Sequence, residues 1–251
     1  GTMLMGTEIS AALTAIEPYD FVDVFGMNCA TGPKEMEENV RYLCHNSPKY
    51  VFVMPNAGLP ENIGGKACYH LSPDEMEHWM KHFVNDLGVN IIGGCCGTTP
   101  EHIARLVKVV DERNQKLEVR SQNNNAQISN RKSQISFTPS CSSIYASQSL
   151  HVEPAPLLIG ERCNANGSKK FKELLLAEDY DGIAQMAKEQ IKEGAHVLDI
   201  CVAYVGRDEV RDMREVMKRL NTQVNLPLMI DSTEANVIEE ALQHCAGRAI
   251  I

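Results

Sequence analysis

The 251-residue chain is 43% hydrophobic and 23% charged, the balance of a globular protein and not of a disordered one. Its 24 Lys and Arg against 33 Asp and Glu leave a formal charge of -9, which argues against nucleic acid and anionic membrane as partners. Apolar runs such as Val51-Phe52-Val53-Met54 are strand-sized, far short of the roughly 20 residues that a membrane-spanning helix needs.

Residues 1–20 lack the basic-then-apolar pattern of a signal peptide, and Gly1 in place of Met reads as the start of a piece of something longer. The nine cysteines are odd in number and irregular in spacing, so a reducing, cytoplasmic setting is expected rather than a disulfide framework.

From residue 21 to 113 a short apolar strand, a Gly-, Asn- or Pro-rich turn and a helix recur. Strands are expected at 21–28, 50–55 and 89–93, and helices at 33–45, 72–87 and 100–113. Pro33, Pro73 and Pro100 sit at helix starts, where a missing N–H costs nothing, and Ser72 is an expected N-cap.

Residues 114–156 hold Gln122-Asn123-Asn124-Asn125 and many serines without helical or strand period, and read as a linker with some order near Ser140 and Tyr145. A second alternating series follows: strands at 157–160, 195–202 and 226–231, helices at 168–193, 207–220 and 234–244, and a last strand opening at Arg248. Alternation of this kind predicts parallel βα units. The expected fold class is α/β, with two incomplete (β/α)8 TIM-type barrels joined by a linker: 1–113, 114–156 and 157–251.

The chemistry gathers at strand ends. Cys29 lies in Asn28-Cys29-Ala30-Thr31-Gly32-Pro33, and Cys95 and Cys96 lie in Gly93-Gly94-Cys95-Cys96-Gly97-Thr98-Thr99-Pro100. Soft thiolates select zinc over oxygen-loving cations, and three protein ligands leave a fourth tetrahedral position for water or substrate. The competing reading is that these are small buried hydrophobes, the usual fate of free cysteines. Cys44, Cys68, Cys141 and Cys245 lack the strand-end context and read as packing or surface residues.

The two cysteine motifs, with Pro55-Asn56-Ala57-Gly58-Leu59-Pro60 between them, resemble the carboxyl half of the zinc-dependent homocysteine S-methyltransferase barrel. The resemblance implies that Cys29, Cys95 and Cys96 are zinc ligands and that the open position takes the sulfur of homocysteine. It also suggests that the 55–58 turn holds the amino acid part of the substrate; a simple tight turn is the alternative.

In the second series, Ile159-Gly160-Glu161-Arg162-Cys163-Asn164, Val197-Leu198-Asp199-Ile200 and Met229-Ile230-Asp231-Ser232-Thr233 resemble the start of a pterin-binding methyltransferase barrel. By that likeness Asp231 hydrogen-bonds the pterin ring of 5-methyltetrahydrofolate, while Asn164 and Asp199 line the same mouth. A carboxylate suits the donor edge of a pterin. A strand-end or N-cap role is the alternative for each. Cys201 stands where that family usually shows Asn.

The order of the two barrels resembles the cobalamin-dependent methionine synthase family. This implies methyl transfer from 5-methyltetrahydrofolate through methylcobalamin, bound by a separate cobalamin domain of the parent chain, to zinc-activated homocysteine. The isolated chain is expected to be inactive. The alternatives are a cobalamin-independent homocysteine S-methyltransferase and a noncatalytic zinc-binding fragment.

Overall fold

The computed structural model of the chain describes residues 6–123 and 138–251, which divide into two compact units: 19–123, and 6–18 together with 138–251. The expected linker lies partly outside the described residues, at 124–137.

The first unit is a three-stranded parallel sheet in the order β1 (Val24–Asn28), β2 (Tyr50–Met54), β5 (Ile91–Ile92). Helix α2 (Pro33–Asn46) follows β1, α3 (Pro73–His82) follows β2, and α4 (Pro100–Asn123) follows β5. Val40, Leu43, Val51, Val53, Met76, Met80 and Phe83 are buried as its core.

Local signals explain the helix starts. Pro33 and Pro73 occupy first turns, and Ser72 makes a capping box with Glu75, accepting from the Glu75 N–H at 3.3 Å while the Glu75 carboxylate accepts from the Ser72 N–H at 2.9 Å. The expected helix 72–87 changes character at its end, where Phe83–Leu87 is a π-helical turn closed by Gly88 at φ 89°. Helix α4 runs to Asn123, ten residues beyond its expected end at 113. A short antiparallel hairpin, β3 (Glu61–Ile63) and β4 (Lys66–Cys68), turns at Gly64-Gly65, whose φ angles of 61° and 82° suit a two-residue hairpin turn.

The second unit has a parallel sheet in the order β10 (Leu228–Ile230), β9 (Val197–Cys201), β8 (Ile159–Asn164). The expected single helix 168–193 is two, α5 (Lys169–Leu176) and α6 (Tyr180–Lys192). They break where Glu178 adopts φ 55° and Asp179 caps the second helix by accepting from the Gly182 N–H at 2.9 Å. Helices α7 (Glu209–Gln223) and α8 (Ala235–Gln243) complete the alternation, and Phe171, Ile183, Leu198, Ile200, Met213, Val216 and Leu220 are fully buried among them.

Two further pieces belong to this unit. The hairpin β6 (Ser140–Ser142) and β7 (Ser147–Ser149) bridges to Arg248, and helix α1 (Ile9–Ile16) packs against that hairpin. The Glu8 N–H donates to the Tyr145 carbonyl at 2.9 Å, and Leu13 and Ala11 are buried. No helix among the described residues is long and apolar enough to cross a membrane.

Candidate thiol centre and carboxylate cluster

Three turns at the carboxyl ends of β1, β2 and β5 are stitched together by backbone hydrogen bonds. The Cys29 N–H donates to the Met54 carbonyl at 2.9 Å, the Cys95 N–H to Pro55 at 2.9 Å, and the Ala57 N–H to Cys96 at 2.9 Å. Asn56, 2% exposed, joins all three. Its N–H donates to the Thr31 carbonyl at 3.0 Å and its side-chain oxygen accepts from the Cys96 N–H at 3.1 Å. The sequence marked this turn for its backbone; its buried side chain was not singled out.

The result is a triad of thiols whose Sγ atoms all lie within 4.8 Å of one another. Cys29 and Cys96 are 3.7 Å apart and Cys95 and Cys96 are 3.9 Å apart. Zinc–sulfur bonds of about 2.3 Å at tetrahedral angles place sulfurs about 3.8 Å apart, so the donor set and its spacing fit the ion.

The backbone is strained at this point. Cys29 and Ala30 take φ of 62° and 63°, a left-handed conformation that non-glycine residues rarely adopt. Gly97, at φ 76°, is required beside Cys96, since a Cβ there would lie 2.3 Å from Cγ of Tyr69. The Cys29 thiol is held below its ordinary range by the Ala30 backbone N–H and by the Cys96 and Cys95 thiols, whereas burial and the Cys29 and Cys96 thiols push Cys95 up. Three sulfurs brought this close form a donor set that a soft cation can bind together.

His102, 5% exposed, braces the turn from behind. Its Nδ1 accepts from the Thr99 N–H at 3.1 Å, which leaves Nε2–H to donate to the Leu71 carbonyl at 2.8 Å.

In the second unit Asn164, Asp199 and Asp231 meet at the carboxyl ends of their strands. The Asn164 Nδ2 donates to Asp199 Oδ2 at 2.9 Å and to Asp231 Oδ2 at 3.2 Å. Its Oδ1 accepts from the N–H groups of Asn166 at 2.9 Å and Gly167 at 3.3 Å.

Asp199 is 2% exposed, and its Oδ1 is buried without a hydrogen-bond partner. Burial pushes its carboxyl above the ordinary range, the Asn164 amide opposes this, and Asp231 and Glu161 add to it. An orphaned buried acceptor is costly, and a ligand N–H would satisfy it. Cys201 lies beside this cluster, 3% exposed, with its Sγ accepting from Asn166 Nδ2 at 3.6 Å. Burial pushes its thiol up.

All six residues singled out in the sequence are thus placed in two clusters, three in each unit. A family profile described as Homocysteine S-methyltransferase matches residues 1–110, and one described as Pterin binding enzyme matches 160–251. Over its whole length the chain is 46% identical to "Methionine synthase" of Mycobacterium tuberculosis (strain ATCC 25618 / H37Rv) and 45% identical to that of Mycobacterium leprae (strain TN). The chain is homologous to methionine synthase. It spans about a fifth of the length of those methionine synthases, covering 20% of each.

Proposed function

We propose that the chain carries the homocysteine-binding and pterin-binding parts of a methyl-transfer enzyme that makes methionine from homocysteine and 5-methyltetrahydrofolate. The observation that carries this reading is the convergence of Cys29, Cys95 and Cys96 within 4.8 Å inside the segment that matches homocysteine S-methyltransferases. The three sulfurs are assigned as ligands of a zinc ion. Bound there, zinc would lower the pKa of a homocysteine thiol so that a thiolate is present at neutral pH.

The chain's own residues do the positioning. Asn56 fixes the backbone of Cys96 against the loop that carries Cys29, and the left-handed backbone at Cys29 and Ala30 aims the first sulfur at the other two. In the second unit Asp231 and the orphaned oxygen of Asp199 are the acceptors for pterin N–H groups, with Asn164 holding both carboxylates. The methyl carrier in this reading is cobalamin, assigned to a separate domain of the parent chain.

Each three-stranded sheet is read as part of a (β/α)8 barrel, the first within 1–113 apart from helix α1, which packs with the second unit, and the second within 157–251. Apolar residues exposed at sheet edges support this: Val24 and Ile91 in the first, Ile159 in the second. Sheets left open in this way are expected to support neither transfer at a useful rate in the isolated chain, and methionine formation by that chain would overturn this point.

The deciding experiment is zinc content beside a Cys29→Ser, Cys95→Ser, Cys96→Ser triple variant. About one zinc per chain, lost in the variant and perturbed by added homocysteine, supports the reading. A folded chain without zinc overturns the ligand assignment. Zinc indifferent to homocysteine makes the site structural.

A further inference from the structure

Strand β8 contains one residue too many for its partner. Gly160 is opposite Leu198 and Cys163 is opposite Ile200, so three steps on β8 cover two on β9. The extra residue is a β-bulge at Glu161-Arg162, and its consequence follows from the two-residue period of a strand. Continued without the bulge from Gly160, the register would put Cys163 beside Cys201 and turn Asn164 away from the face that carries Asp199. With it, Cys163 is fully buried in the helix-facing core with Ile200, and Asn164 falls opposite Cys201, within reach of both carboxylates.

A bulge strands a backbone N–H that the ladder would have used. The side chain of Gln190, on helix α6 and 3% exposed, takes it up. Its Oε1 accepts from the Arg162 N–H at 2.8 Å and its Nε2 donates to the Cys163 sulfur at 3.3 Å. The Cys163 thiol is pushed up to about 12 by burial, which keeps that sulfur an uncharged partner. Gly160 leaves the room, since a Cβ there would lie 2.8 Å from Gln190 Oε1.

We propose that Gln190 is a positioning residue for the pterin-side cluster: its amide locks the β8 bulge, and the bulge presents Asn164 to Asp199 and Asp231. Gln190 touches no ligand itself. It acts through the strand register, and the ligand half of the claim rests on the pterin-binding reading given above.

The test uses the full chain carrying Gln190→Met, which keeps side-chain bulk and removes the hydrogen bonds, with Gln190→Glu as the rescue that retains an acceptor for the Arg162 N–H. The expected result has three parts. Amide exchange at Arg162 speeds up, the Asn164 side-chain NH2 resonances move, and affinity for 5-methyltetrahydrofolate in equilibrium dialysis falls about tenfold or more, the loss expected when one buried hydrogen-bonding group is misplaced. Gln190→Glu recovers Arg162 protection.

Unchanged Asn164 resonances and affinity in Gln190→Met overturn the inference. If the unsubstituted chain fails to bind 5-methyltetrahydrofolate, the pterin reading fails for this chain, and the positioning role is decided by Arg162 exchange and the Asn164 resonances alone. Should Gln190→Met unfold, Gly160→Ala, which presses on the same oxygen, is expected to move the Asn164 resonances; unmoved, they overturn the inference.

Discussion

Cys29 and Cys96 hold their sulfurs 3.7 Å apart although 67 positions separate them in the chain. The contact is made by turns at the ends of parallel strands, each tied to the central strand's turn by backbone bonds to Met54, Pro55 and Ala57. Proximity here is a property of the sheet, so changes in backbone placement are expected to act on the thiols without touching them.

Asn56 gives the most direct case. Asn56→Ala deletes the acceptor of the Cys96 N–H in a buried position. Residues that orient metal ligands typically contribute about 10- to 100-fold in affinity, and a zinc loss of that size is expected in competition with a chromophoric chelator. Asn56→Asp keeps the acceptor and should recover part of the loss. Equal zinc affinity in Asn56→Ala and the unsubstituted chain would show that the Cys96 backbone is held by other bonds.

Gly26 tests the same idea from the strand. A Cβ at Gly26 would lie 2.0 Å from the Phe52 carbonyl oxygen, so β1 and β2 cannot keep their separation with Ala at this position. Gly26→Ala is expected to destabilise the first unit by about 1–3 kcal/mol or more in urea unfolding and to weaken zinc binding in parallel, because Cys29 rides on β1. Gly64, whose added Cβ meets nothing within 4 Å but whose φ is 61°, is the comparison. Gly64→Ala costs stability through backbone strain alone and should leave zinc unaffected.

Asp199 carries a pH signature. Its folded-state carboxyl lies above the ordinary range, chiefly through burial, with Asp231 and Glu161 adding and the Asn164 amide opposing. A raised acid is penalised in its charged form, so the folded state gives up stability above the folded pKa and regains it as pH falls through that value. Asp199→Asn should therefore raise the melting temperature at neutral pH. The advantage should shrink on acidification and vanish below the unfolded carboxyl value of about 3.9. A variant no more stable at pH 7 would show that other contacts already compensate for the buried charge. Loss of 5-methyltetrahydrofolate binding in the same variant is expected from the missing carboxylate.

The parallel units and both clusters were legible in the sequence because the chemistry follows directly on apolar strands: Cys29 after Val24–Asn28, Asp231 after Leu228–Ile230. What escaped is local geometry. The bulge at Glu161-Arg162 looked like the end of a strand because two charged residues interrupt the apolar run. The break between α5 and α6 rests on Glu178 in a left-handed conformation, which an ordinary helix former does not announce. The Gly64-Gly65 hairpin has exposed strands, with Glu61, Ile63 and Lys66 all in solvent, so no alternation of apolar and polar residues betrayed it. The buried amides of Asn56 and Gln190 escaped because the oxygen of each accepts from a backbone N–H, of Cys96 and of Arg162, which leaves no mark in side-chain pattern.

Helix α1 poses the sharpest test of organisation. It precedes the whole first unit in the chain, yet it packs on the β6–β7 hairpin of the second, with Leu13 only 4% exposed and Glu17 3.9 Å from Arg248. Leu13→Ala is expected to cost about 2–5 kcal/mol, the range for a buried leucine, and the loss should fall on the second unit. Hydrogen exchange reads this directly: amides of Ser140–Ser142 and Ser147–Ser149 should lose protection while those of Tyr50–Met54 keep theirs. Protection lost in Tyr50–Met54 instead would place the helix with the first unit in solution. That outcome would assign the hairpin's stability to its bonds with Thr222, Asn225 and Arg248 alone.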